Sequence, residues 1–257
     1  MTTSDDQNPS TNGLPSYGSM PPPPPSGSIP PPPAPGNPAP VPGASGFQAS
    51  DAIGYGWKKF QDNVGRILLA ILALIVFTVV VELIAGVITG SGFDEDANDF
   101  SIGGSLFRII TLSGGFIASA FVIRGALDIT EGRKFDIASA IKQLNIVNVL
   151  LTSLLVAVIT SIGYALLWIP GIIAQFLLLF AVYFAVDKGT NAIDSVKSSF
   201  TLVKDNIGAT IMLILLSIVV AIAGLIALCI GLLVALPVIA IAWAYAYKTL
   251  LGEPVAA

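Results

Sequence analysis

Chemistry in this sequence rests on a handful of side chains. There is no histidine, which removes the usual general base near neutral pH and the commonest transition-metal ligand. The single cysteine, Cys229, lies inside an apolar run. It can form neither a disulfide within one chain nor a four-thiolate zinc site, and reads as a small packing residue. Asp94, Glu95, Asp96 and Asp99 place four carboxylates within six residues. Such a cluster suggests calcium, but the spacing lacks the EF-hand pattern and its distal glutamate ligand, and the plainer reading is a solvated acidic loop. Glu82 and Arg108 are the two charges set within otherwise apolar runs. They could form a structural pair, or a substrate or proton site. Asp128 and Asp187 fall at helix ends. Nucleophile elbows, zinc-protease helices and phosphate-binding loops are all missing from the sequence. The expectation is a protein that is no enzyme and has neither cofactor nor metal.

These side chains must be positioned by elements that are mostly apolar. Of 257 residues, 54% are hydrophobic and 11% charged, against about 25% charged in a typical soluble domain. That deficit predicts an all-α polytopic membrane protein. The net charge of −4 argues against a nucleic-acid partner. Residues 1–46 hold 15 of the 18 prolines. They read as a disordered tail that samples polyproline conformations, either inert or a docking strip for a groove-type protein partner. The opening MTTSDDQNPS lacks the apolar stretch of a secretory signal.

Six spans follow, at about 67–88, 106–127, 146–168, 170–187, 207–230 and 232–249, in a membrane domain of 47–252 with a short tail at 253–257. Residues 146–186 and 207–246 carry no charge, and each run is long enough for two crossings of about 30 Å. The first pair should break at Trp168-Ile169-Pro170-Gly171, and the second near Gly231. Gly114 with Ala118, Gly115 with Ser119, and Ala223, Ala227 and Gly231 form small-residue ridges for close helix contact. Pro237 should kink the last span, and Tyr245, Tyr247 and Lys248 should anchor it at the interface.

Each pair of spans is preceded by an amphipathic stretch. In Ser50–Val64, Ile53, Trp57, Phe60 and Val64 share a face, with Lys58 and Lys59 beside it. In Thr130–Asn145 the face is Ile137, Ala140, Ile141 and Leu144, with Asp136 as a cap. In Thr190–Asn206 it is Ile193, Val196, Phe200 and Val203, with Lys197 and Lys204 on the polar side and Thr190 or Asn191 as the cap. Such helices suit the membrane surface. Trp57, Phe60 and Phe200 would enter the headgroup boundary, and Lys58, Lys59, Lys197 and Lys204 would face anionic lipid. The fold class is therefore three parallel units, each an amphipathic helix plus a helical hairpin. Units one and three align as AIGYGWKKF-QDNVG and AIDSVKSSF-TLVKDNIG, with three extra residues after the phenylalanine in the third. Parallel units are mild evidence against an alternating-access transporter, in which inverted repeats are commoner.

Six crossings put both termini on one side. Eleven of the 12 basic residues fall on that side and only Arg108 on the other, so the positive-inside rule makes it cytoplasmic. Glu82 lies 82 − 66 = 16 residues beyond Arg66, roughly 24 Å along a helix, which matches the depth at which Arg108 enters.

WKKFQDN (57–63), DKGTNAIDSVKSSFTLVKDN (187–206), and Pro237 followed by AYAYKTLLG resemble a group of bacterial six-helix integral membrane proteins. That group includes the YciC type and the membrane domain attached to some glycerophosphodiester phosphodiesterases. The preceding tail is similar to that of actinobacterial proline- and glycine-rich transmembrane proteins. The resemblance implies the six-helix fold and a bacterial plasma-membrane location. The phosphodiesterase barrel is absent, so its activity does not carry over. Two functions remain: a scaffold or accessory protein on the cytoplasmic leaflet, recruiting partners through its tail, or a permease or lipid-handling protein with a cavity between units.

Overall fold

The computed structural model describes residues 47–90, 102–133, 142–227 and 231–257. The proline-rich tail, the acidic loop, most of the second amphipathic stretch and Cys229 lie outside the described residues. Among the described residues the fold is all-helical. Its elements are α1 (Ala49–Thr89), α2 (Ile102–Thr130), α3 (Ile146–Leu166), α4 (Trp168–Leu177), α5 (Ala181–Asp187), α6 (Ala192–Asp205), α7 (Ile207–Ile226) and α8 (Leu232–Leu250). Among the described residues six stretches are long and apolar enough to cross a membrane: α1, α2, α3, α4 with α5, α7 and α8. Helices suit that setting because each satisfies its backbone groups internally.

The first amphipathic stretch and the first span are one helix with a break. Asn63 has φ −128° and ψ 17° inside α1. Its side-chain amide donates to Lys59 O at 2.9 Å, and its Oδ1 accepts from Arg66 at 3.2 Å. Asn206, between α6 and α7, repeats the joint with φ −130° and ψ 36°, and its amide donates to Leu202 O at 2.9 Å. Counted from these asparagines, four pairs of buried positions coincide without a gap, although buried Leu202 and Leu213 stand opposite the less buried Lys59 and Ala70. Ala52, Gly56, Phe60 and Ile67 stand where Ser195, Ser199, Val203 and Thr210 stand, all offset by 206 − 63 = 143 residues.

This register corrects the gapped alignment. Phe200 is equivalent to Trp57, both being exposed, and Val203 to Phe60, both being buried. The apolar faces read from the sequence are therefore divided. Phe60 and Val203 enter the core, while Trp57, Ile193 and Phe200 face outward.

The break in the first uncharged run also shifts, while the second stays next to Gly231, the residue before α8. The chain turns at Leu167, which is extended at φ −165° and ψ 153°, three residues before Pro170. Pro170 then sits in the first turn of α4, where no intrahelical acceptor awaits its missing N–H. Gly171 closes the hairpin rather than turning it, because a Cβ on Gly163 would lie 2.8 Å from Gly171 Cα. In the last hairpin Gly224, not Ala223, is the buried ridge residue, and a Cβ on Gly231 would meet its carbonyl at 2.4 Å. Gly114 packs on Val81, whereas a Cβ added to Gly115 would meet no neighbouring element.

Span four is broken between α4 and α5. Ser199 of α6 fills the break: its hydroxyl donates to Leu177 O at 3.0 Å and accepts from Phe180 N at 3.0 Å. The hydrophobic core gathers around Tyr247, whose ring lies 5.2–5.9 Å from those of Phe180, Tyr183 and Phe184.

Candidate functional site

Three helices end together, and two of them end in the same way. After α2, Gly132 (φ 74°) donates to Ile129 O and Arg133 N to Asp128 O. After α8, Gly252 (φ 73°) donates to Thr249 O and Glu253 N to Lys248 O. Both are Schellman turns, which need a left-handed residue and bring the residue after it against the third-last helical one. That contact is usually hydrophobic. Here it joins opposite charges, Asp128 to Arg133 and Lys248 to Glu253. The third end is that of α5, with Asp187 and Lys188.

These ends interlock as a clasp. Lys248 Nζ lies 2.9 Å from each of Asp187, Glu131 and Glu253. Lys188 Nζ reaches Glu253 at 2.5 Å and Asp187 at 3.0 Å. Arg124 binds Asp128 at 2.6 Å and Glu131 at 3.3 Å. Arg133 binds Asp128 at 2.8 Å and also contacts Glu131. Tyr247 donates its hydroxyl to Asp187 at 3.2 Å. Four cations meet four carboxylates, so the group is neutral, and Arg124, Asp128 and Lys248 are no more than 4% exposed. Charges buried this far are tolerable only when paired, and removing one partner of such a pair costs about 3–5 kcal/mol.

At the rim, burial pushes the Glu253 carboxyl up, but the Lys188 and Lys248 ammoniums outweigh it and hold the carboxyl below its ordinary range. Burial lowers Lys188, and the Glu253 and Asp187 carboxylates more than offset this and raise it. The C-terminal segment closes over the same end. Ala256 N donates to Thr130 O at 2.7 Å, Tyr55 to Ala256 O at 3.0 Å, and Lys59 to Ala257 O at 2.5 Å. Every charge in the clasp is met by an opposite one, and among the described residues no group of three metal-ligating side chains occurs. The arrangement holds three helix ends together.

The sequence reading missed this site because it treated Lys248 with Tyr247 as an interfacial anchor. The structure buries both, at 4% and 0% exposure. The signal was a charge, three residues, then glycine and the opposite charge: DITEGR at 128–133 and KTLLGE at 248–253.

Among the predicted interface residues, Trp57, Lys58, Lys197, Phe200 and Lys204 are exposed. Lys59 lies over the Tyr55 ring at 5.4 Å, and Phe60 is 6% exposed in the core. Glu82 and Arg108 are exposed on α1 and α2. The contact of Val81 with Gly114 sets Arg108 level with about residue 87, an axial offset from Glu82 of roughly 7–8 Å.

The chain is 34% identical over 233 residues to the uncharacterized protein Rv2560 of Mycobacterium tuberculosis, a match covering 82% of this chain and 71% of that protein. The uncharacterized proteins Mb2590 of Mycobacterium bovis and MT2637 of a second Mycobacterium tuberculosis strain match to the same extent. No family model matches the chain, and no solved structure matches it.

Proposed function

The chain belongs to the family of the mycobacterial proteins Rv2560, Mb2590 and MT2637, and from that premise we propose that it is a non-enzymatic scaffold or accessory protein of the bacterial plasma membrane. In this reading three parallel units make the six-helix body. The common joint at Asn63 and Asn206, and the meeting of the α2, α5 and α8 ends, support that repeat. Both termini are cytoplasmic. Four of the 11 basic residues on that side belong to the clasp, which leaves 11 − 4 = 7 outside it. Residues 1–46 recruit a protein partner, and Glu82 pairs with Arg108, the arginine reaching along the helix axis.

One observation carries the leaflet contact. The serine face of α6 is taken up by the body, so Ile193 and Phe200, 59% and 45% exposed, face outward beside Lys197 and Lys204. An apolar stripe edged by lysines matches the boundary of an anionic leaflet. A polarity-sensitive dye on Phe200→Cys, in a Cys229→Ala background, should blue-shift in phosphatidylglycerol vesicles, and one on Thr201→Cys should not. Equal emission from the two sites would remove the leaflet contact. With a membrane-impermeant thiol reagent on intact cells, Asp96→Cys should label and Ser4→Cys should be protected; the reverse pattern would invert the topology.

A further inference from the structure

A groove of about 420 Å³ runs between α1, α2 and α8, lined wholly by apolar side chains and half-open to the outside. Ala70, Ala73, Gly125 and Ala126 leave the space, being too small to fill it. Along α1 it extends from Ile67 to Phe77, 77 − 67 = 10 residues, or about 15 Å of helix. That is half of a hydrocarbon core of about 30 Å, the depth of a single leaflet. An empty apolar void of this size would forfeit the dispersion contacts of its walls. Its volume lies within the range of about 300–1,000 Å³ typical of ligand pockets.

One end of the groove is marked by charge. Arg66 immediately precedes Ile67 at the α1 break. It is exposed, is steadied by Asn63 Oδ1 at 3.2 Å, and has no carboxylate partner among the described residues. An apolar trough one leaflet deep, starting beside a guanidinium with no carboxylate partner among the described residues, has the chemistry of one ligand class. We infer that this groove binds one acyl chain of an anionic phospholipid, with the lipid phosphate held by Arg66. The site does not depend on the scaffold reading, since a scaffold can carry a bound lipid as readily as a transporter can.

The test uses the full chain, purified in detergent and mixed with phosphatidylglycerol or phosphatidylcholine of identical chains, with bound lipid counted by native mass spectrometry. The wild type should retain one phosphatidylglycerol in preference to phosphatidylcholine. Ala73→Phe should abolish retention of both lipids. Leu72→Phe, at an exposed neighbour outside the groove, should not change it. Arg66→Gln should lower the preference for phosphatidylglycerol about fivefold while chain retention persists. Should Ala73→Phe fail to fold, Ala73→Leu makes the same test with a smaller side chain. Equal retention in the groove-filled and Leu72→Phe proteins would mean loosely surrounding lipid and overturn the site. Loss of a dimer on filling the groove would identify a second copy as its occupant, and would also overturn it.

Discussion

Gly56 and Ser199 occupy the same place in two like segments, seven residues before the asparagine joint, and each meets the main chain of a neighbouring span. At Gly56 the neighbour is α8, which is continuous there, and the contact is steric: an added Cβ would lie 2.4 Å from Val238 O. At Ser199 the neighbour is span four, which is broken, and the contact is a pair of hydrogen bonds to the Leu177 carbonyl and the Phe180 amide. Val238 O lies inside a helix that continues past it and is taken up by the helix's own bonding, so the best neighbour is no side chain at all. A broken one leaves groups unmatched, and in an apolar surrounding each unmatched group costs several kcal/mol. The same register thus carries glycine against one span and serine against the other. The difference is set by the partner, not by the amphipathic helix.

The comparison is easiest to break at Gly56. Gly56→Leu should force α1 off α8 and destabilise the protein by about 3 kcal/mol, the upper part of the usual overpacking range. It would be read as a lowered unfolding midpoint in detergent. Gly56→Ser is the sharper variant. If its midpoint matches that of the wild type, the position does not require close approach, and the contrast with Ser199 disappears.

Ser199→Ala should come next, at about 1–3 kcal/mol, because it strands the buried Phe180 amide and the part-buried Leu177 carbonyl. Hydrogen exchange at Phe180 should quicken in this variant and stay unchanged in Gly56→Ser. Quickening in both would mean that the break in span four depends on overall stability rather than on the serine.

The joints themselves should matter less and should matter equally. Asn63→Ala and Asn206→Ala each remove the side-chain bond to the carbonyl four residues earlier, worth about 0.5–1.5 kcal/mol; Asn63→Ala also removes the bond from Arg66, which is exposed and which water replaces. The two losses should agree and should add in the double variant, since the joints share no partner. A loss at one joint alone would show that the matching angles at Asn63 and Asn206 do not reflect a shared device.

Much of this architecture was legible in the sequence. Long uncharged runs such as 207–246 can be stable in few ways other than as paired helices, so the crossings were readable. The DN-x-G stretch at each joint was visible too. Its register was not, because Phe60 and Phe200 invited alignment by residue type, while burial is decided by distance from the joint. The clasp was missed for a related reason. Charges at span ends were counted as cations facing the leaflet, whereas Lys248 and Arg124 are turned inward by neighbours far away in sequence. Only the helix-stop pattern around Gly132 and Gly252 hinted at pairs, and Asp187 carries no such pattern of its own.

The smallest effect expected is one of pH, and it tests whether the two segments share an anchor. Lys188 leads directly into α6, and the residues after Glu253 hold Tyr55 and Lys59 of α1. Their ion pair therefore connects the supports of both segments, with Asp187, Glu131 and Lys248 facing it. The folded protein holds the Glu253 carboxyl below its ordinary range. Its stabilisation is therefore complete above the unfolded value of about 4.3 and is lost as pH falls through the lower, folded one. Lys188 is shifted upward. Its stabilisation is complete below about 10.4 and is lost as pH rises through the higher, folded value. Between these limits the unfolding midpoint should be flat. Because both side chains are about a third exposed, solvent screening keeps each contribution small. Glu253→Gln should lower the midpoint modestly at pH 7 and flatten the acid limb of the profile. In the wild type below pH 4, proteolysis should reach the segments near Lys59 and near Ser198 together. If acid exposes one segment and leaves the other protected, the clasp anchors only that segment, and the shared support fails.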